Sequence, residues 1–178
     1  MRQPIEISLE LQQWAEVAGY SLTPGSHTDD GRALFWSSGG EVRHIIGIDN
    51  SGWFKVTDSD RLGPEYLVFA APSIATVERY FFGMFGGYIR SRKKLPRVHV
   101  PFVLEELSAG FTIQSRVFEG VERFVLVASD GSEVALSTGD KFSGTADLVE
   151  MSYYLTAATA DIMASYLEPD GKPLFTLK

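Results

Sequence analysis

The stretch from Arg32 to Asp60 reads RALFWSS, EVRHIIGID and GWFKVTDSD, three runs rich in β-branched and aromatic residues. Gly39-Gly40 separates the first pair, and Asn50-Ser51-Gly52 marks the second junction. Connections this short reverse the chain directly and leave no length for a crossover helix, so neighbouring runs pair antiparallel as hairpins. EYLVFAA, residues 65–71, extends the series as a fourth strand. Helical patterns flank these strands. In SLELQQWAEVAGYSLT, Ser8 stands at the N-cap, Leu11, Trp14, Ala15 and Ala18 share one face, and Gly19 ends the helix. Pro72-Ser73 opens a longer helix, in which Ile74, Val77, Phe81, Met84 and Tyr88 recur at three-and-four spacing.

The rest of the chain runs in a similar order. PFVLEELSAGFTIQ reads as an amphipathic helical segment followed by a short β-prone run, and SRVFEGVERFVLVASDG and SEVALST read as hairpins with Asp130-Gly131 as a turn. A second long helix carries Leu148, Met151, Leu155, Ala158 and Ile162 on one face, and Pro169-Asp170-Gly171 stops it. The expected class is α+β, antiparallel strands with long packed helices, in a single domain over residues 1–178. The order helix, strands, helix occurs twice, which predicts a duplicated unit over residues 5–95 and 101–168 with a boundary near Pro96 to Pro101. Two halves of any α+β chain can share such an order by chance, and the sequence leaves that alternative open. With 44% hydrophobic and 22% charged residues over 178 positions, the chain buries an ordinary globular core without staples.

Charge is uneven. Residues 1–70 carry a net −5, residues 71–100 a net +5 and residues 101–178 a net −7. The positive island lies in YFFGMFGGYIRSRKKLPRV, residues 80–98, where Gly83, Gly86 and Gly87 stand among aromatics ahead of Arg90, Arg92, Lys93, Lys94 and Arg97. A phosphate-binding loop places its glycines between a strand and a helix N-terminus. Here they fall inside a helical pattern, at a cost of about 1 kcal/mol each relative to alanine, which close approach of another element would offset. The cations then suit the helix C-terminus, and Leu95-Pro96 ends it. A basic site for a phosphate or an acidic partner is the competing reading.

Catalytic constellations are hard to find. The chain has no cysteine, which removes thiolate nucleophiles, disulfides and cysteine-held zinc. His27, His44 and His99 lack metal-ligand spacing, no serine sits in a G-x-S-x-G elbow, and GMFGG is not a dinucleotide fingerprint. His44 reads as a satisfied strand histidine. Glu105-Glu106 diverge on a helix, while Asp29-Asp30 and Asp58-Asp60 read as acids in loops. The basic run lacks interleaved aromatics, so nucleic acid is a weak expectation in a chain of net charge −7. No cofactor, no metal and no enzyme activity are expected. MRQPIEISLELQQW has no signal-peptide core and no apolar run is long enough to span a membrane, which predicts a cytoplasmic protein.

Taken together, LQQWAEVAGYSLT, DGRALFWSSGGEVRHIIGIDNSGWFKVT and PSIATVERYFFGMFGGYIRS resemble the immunity proteins of actinobacterial polymorphic toxin systems, in particular the branch directed against tuberculosis-type necrotizing toxins. The resemblance runs over nearly the whole length. It implies an antitoxin that binds a cognate NAD-glycohydrolase toxin domain, in a 1:1 complex, and blocks its active-site cleft. It supplies no catalytic residue. A cleft that holds a diphosphate is electropositive, and an acidic inhibitor is steered to it. The expected contact surface is therefore the acidic loops of the first half: Asp29, Asp30 and Arg32, Asp49 and Asn50, and Asp58 and Asp60. Two alternatives stay open, an enzyme using Asp29, Asp30 or His27, and a phosphate or nucleic-acid binder using Arg90 to Arg97.

Overall fold

The computed structural model describes residues 3–138 and 141–178. Its class is α+β, helices with antiparallel sheet, and the chain divides into two compact units, Met1–Glu78 and Arg79–Lys178.

The first unit opens with α1 (Leu9–Ala18). Ser8 caps it, its hydroxyl accepting from the Leu11 N–H at 3.3 Å, and Leu11, Trp14, Ala15 and Ala18 are buried. Gly19 ends it at φ 92°, a left-handed conformation that a side chain would strain. Five strands follow, β1 (Tyr20–Thr23), β2 (Ala33–Ser37), β3 (Val42–Ile48), β4 (Phe54–Asp60) and β5 (Tyr66–Ala71). Each pairs antiparallel with the next, as the short turns after β2, β3 and β4 require, while a longer segment with a 3₁₀ turn at Gly25–His27 joins β1 to β2. The register places Phe35 opposite His44, Ile46 opposite Val56, and Val56 opposite Phe69, so these buried side chains share one face. Period two sends Leu34, Arg43, Gly47, Lys55 and Thr57 to the other. β4 runs through Asp60, so Asp58 and Asp60 are strand residues and not loop residues. The cross-strand partners His44 and Val42 hold them in the ladder, so the β-prone run GWFKVTDSD is strand to its last residue.

Helix α2 (Ile74–Arg92) begins in the first unit and continues in the second. The Ser73 hydroxyl caps it, accepting from the Thr76 N–H at 3.2 Å. Its buried apolar side chains in the second unit are Phe81, Phe82, Phe85 and Ile89, whereas Tyr88 is exposed and Met84 half-buried, so the core stripe is rotated from the one the spacing predicts. Gly83 and Gly86 are buried beside that stripe. A β-carbon on Gly83 would lie 2.7 Å from Tyr154 Cζ, and one on Gly86 2.5 Å from Tyr166 Cγ, so two tyrosines occupy the space that side chains would fill.

The second unit continues with β6 (Val98–His99), β7 (Phe111–Phe118), β8 (Val121–Ala128) and β9 (Glu133–Ser137), then α3 (Ser143–Tyr154), α4 (Thr159–Leu167) and β10 (Thr176–Leu177). β7, β8 and β9 form an antiparallel meander, and β6 pairs with β10. Two expectations change here. LEE of PFVLEEL makes one 3₁₀ turn, Leu104–Glu106, because the Glu106 carboxylate folds back to accept from the N–H groups of Phe102 and Val103. The single helix expected from Leu148 to Ile162 is two. The Arg79 guanidinium takes the carbonyls of Tyr154 and Ala157, and Thr156 bonds back to Ser152 and Tyr153, which competes with continuation of the helix.

Candidate functional site

Two of the three predicted acidic loops converge on one face of the first unit. Gly25 N–H donates to the Ile5 carbonyl and Ile5 N–H to the Gly31 carbonyl, both at 2.9 Å, which lays the N-terminal segment beside the 29–32 loop. A cleft of about 250 Å³ opens there, lined by Asp30, Arg32, Gly47, Asp49, Lys55 and Glu65 among others. Arg32 is its central group. Its Nε donates to Asp30 Oδ2 at 2.6 Å and its Nη1 to Glu65 Oε2 at 2.8 Å. Thr57 Oγ1 donates to the same Glu65 oxygen at 2.8 Å. Gly47 makes this possible, since a β-carbon there would stand 3.1 Å from Arg32 Cδ and crowd its stem. The planar guanidinium is thus fixed by two carboxylates at a surface position where such a side chain would otherwise sample many rotamers.

The charge states follow from these contacts. Burial pulls Asp30 upward, but hydrogen bonds from the Arg32 side chain and backbone, with its charge, more than offset that and hold it below the ordinary value. Burial raises Glu65 too, and Arg32 and Thr57 bring it below its ordinary value. Arg32 is opposed by burial and raised by Glu65 and Asp30. Asp49 is fixed by the β3–β4 turn. Its Oδ1 accepts from Ser51 N–H, Ser51 Oγ and Trp53 N–H, and these bonds outweigh burial to lower its pKa. Asp29 lines an adjoining cleft that shares Asp30, Arg32 and Glu65, and Asn50 lines a third, which shares Ile5, Ile48 and Asp49 with the first.

Asp58 and Asp60 lie apart from this cleft. Asp58 Oδ1 is 2.6 Å from Nδ1 of His44, which is buried on the core face with the Tyr20 ring 5.3 Å away. Asp60 ends β4 and starts a turn that the sequence did not signal. Gly63 N–H donates to the Asp60 carbonyl at 2.7 Å, and Arg61 and Leu62 both have positive φ, 47° and 61°. Such turns favour Asn and Gly, so two ordinary side chains here store strain. Leu62 is 78% exposed at the tip. Glu65, Thr57 and Gly47 were also missed, because only the strand register brings them to Arg32.

In the glycine-bearing helix, two of the three glycines are packing notches. Gly83 and Gly86 accept tyrosines, while a β-carbon on Gly87 would meet nothing within 4 Å. Arg90 is buried, and its guanidinium donates to the carbonyls of Pro96, Glu168 and Pro169 at 2.6–2.8 Å, with Tyr166 at 3.2 Å. It closes the end of the second unit. Arg92, Lys93, Lys94 and Arg97 remain exposed. Two acids, Asp147 and Glu150, line a small cavity with Tyr80 and Tyr154. Burial and the Asp147 charge push Glu150 up to about 7, against a weak hydrogen bond from Tyr154. Among the described residues no group of three or more metal-ligating side chains comes together, and no helix is long and apolar enough to cross a membrane.

Comparison with known proteins identifies the lineage. Residues 14–174 match the family described as Immunity protein 61. The Immunity factor for TNT of Mycobacterium tuberculosis and its homolog in Mycobacterium bovis are each 41% identical over 174 residues, 97% of this chain and 94% of theirs. The solved structure of Rv3902c from M. tuberculosis superposes with a TM-score of 0.90 at 40% identity, covering 97% of this chain and 95% of that one. The chain therefore belongs to the Immunity protein 61 family, with the fold of its solved M. tuberculosis relative.

Proposed function

We propose that this protein is an antitoxin that binds a cognate NAD-glycohydrolase toxin domain one to one and blocks its active-site cleft. The observation that carries the reading is the 41% identity, over 97% of the chain, to proteins named immunity factors for TNT. The surface chemistry fits it. A toxin cleft that binds a dinucleotide diphosphate is electropositive, and the first unit offers carboxylates held ionised by fixed hydrogen bonds at Asp30, Asp49 and Glu65. Asp29, Asp30, Arg32, Asp49 and Asn50 form the contact surface, with Asp58, Asp60 and the strained Arg61–Leu62 turn as a second contact. Inhibition is stoichiometric and needs no chemistry of the inhibitor's own. It acts in the cytoplasm, where it protects the producing cell.

The test is the association rate and inhibition of the cognate toxin domain by the parent and by Asp29→Lys with Asp30→Lys. The expected result is slower association and weaker salt dependence, with folding changed by no more than about 0.5 kcal/mol. Equal inhibition by this variant, and by one reversed at Asp60 with Leu62→Asp, would remove the acidic loops from the interface.

A further inference from the structure

Beside the Arg32 cleft lies a larger pocket of about 510 Å³ with a different character. Pro4, Ile5, Ile48, Phe54 and Ile74 give it apolar walls. Its charged rim consists of Glu6 and Asp49, and no lysine or arginine lines it among the described residues. Of the two, Asp49 feels the nearby Lys55 charge across the neighbouring cleft. Glu6 is exposed at the rim, and Asp49 is held by its Oδ1, which accepts from the Ser51 N–H, the Ser51 hydroxyl and the Trp53 N–H. An apolar hollow of this volume admits a large side chain, and an acidic rim with Glu6 exposed and no cation lining it favours a cation beside it while opposing an acidic segment.

We infer that this pocket receives an apolar side chain from the toxin, flanked by a lysine or arginine that meets Glu6 and Asp49. The inference rests on the antitoxin reading and adds an anchor that the acidic loops alone do not supply. Burial of one large side chain in a preformed hollow anchors a complex against dissociation, and the rim charges act on encounter. The two contributions are separable. Filling the hollow raises the off-rate, whereas reversing the rim lowers the on-rate.

Ile74→Trp fills the hollow from its wall, and Glu6→Lys reverses the exposed rim with no buried group disturbed. With the cognate toxin domain as probe, Ile74→Trp is expected to weaken binding about tenfold or more through dissociation. Glu6→Lys is expected to slow association several-fold and to flatten its salt dependence. A photocrosslinking residue placed at Gln3, on the pocket's edge, is expected to capture a toxin peptide with an apolar residue next to Lys or Arg. Parent-like kinetics for Glu6→Lys together with a captured peptide that is acidic, or with none captured from an intact complex, would overturn the inference while leaving the antitoxin reading in place. A parent protein that does not bind the toxin at all would overturn both.

Discussion

Adding one methyl group at Gly86 gives the sharpest test of why the long helix carries glycines. In Gly86→Ala the new carbon would stand 2.5 Å from Cγ and 2.9 Å from Cε2 of Tyr166, roughly 1 Å inside ordinary contact. The ring cannot swing away freely, because its hydroxyl is 2.6 Å from the Tyr154 hydroxyl and Phe175 packs on it at 5.0 Å between centroids. Overpacking of this kind costs about 3 kcal/mol, and alanine's better helix propensity returns about 1, so the net loss is about 2 kcal/mol. For a chain of this length that lowers Tm by about 4–8 °C. Gly87→Ala is the matched control. Nothing lies within 4 Å of its added carbon, so it is expected to gain about 1 kcal/mol and raise Tm by about 2–4 °C. Urea titration of both variants reads the difference, and circular dichroism checks that helix content is kept. Gly86→Ala at parental stability or above, or Gly87→Ala below it, would refute the packing account.

Two further outcomes follow from the second unit. Glu150, raised from its ordinary 4.5 to about 7 by burial and Asp147, binds its proton more tightly folded than unfolded. Its contribution is therefore complete below pH 4.5 and is lost as pH rises towards 7, a fall of about 3 kcal/mol. Glu150→Gln is expected to remove that slope from a stability–pH profile, and an unchanged slope would show that another group causes it. Arg90→Met leaves the carbonyls of Pro96, Glu168 and Pro169 without their donor, so a loss of about 3 kcal/mol is expected by urea titration. A stability within about 0.5 kcal/mol of the parent would mean that water satisfies them.

Local signals explain what the sequence revealed. Ser8, Gly19 and Ser73 mark helix ends through bonds made within a few residues, and the short turns at 39–40 and 50–52 force antiparallel pairing. The misses arise where distant residues decide. Arg79 helps break the last helix from 75 residues away, and the tyrosines that fill the glycine notches come from the far end of the second unit. The candidate cleft was half legible. Asp30, Arg32 and Asp49 stood out as charged turn residues, but Glu65, Thr57 and Gly47 meet Arg32 only through strand register. The Arg61–Leu62 turn was invisible because its residues are not those that positive φ favours.

Titration of the cognate toxin domain with this protein, following NAD consumption, tests the central claim most directly. The account predicts that the rate falls linearly and reaches background at one equivalent, and that the protein alone consumes no NAD. A toxin rate unchanged at several equivalents of folded protein would contradict it.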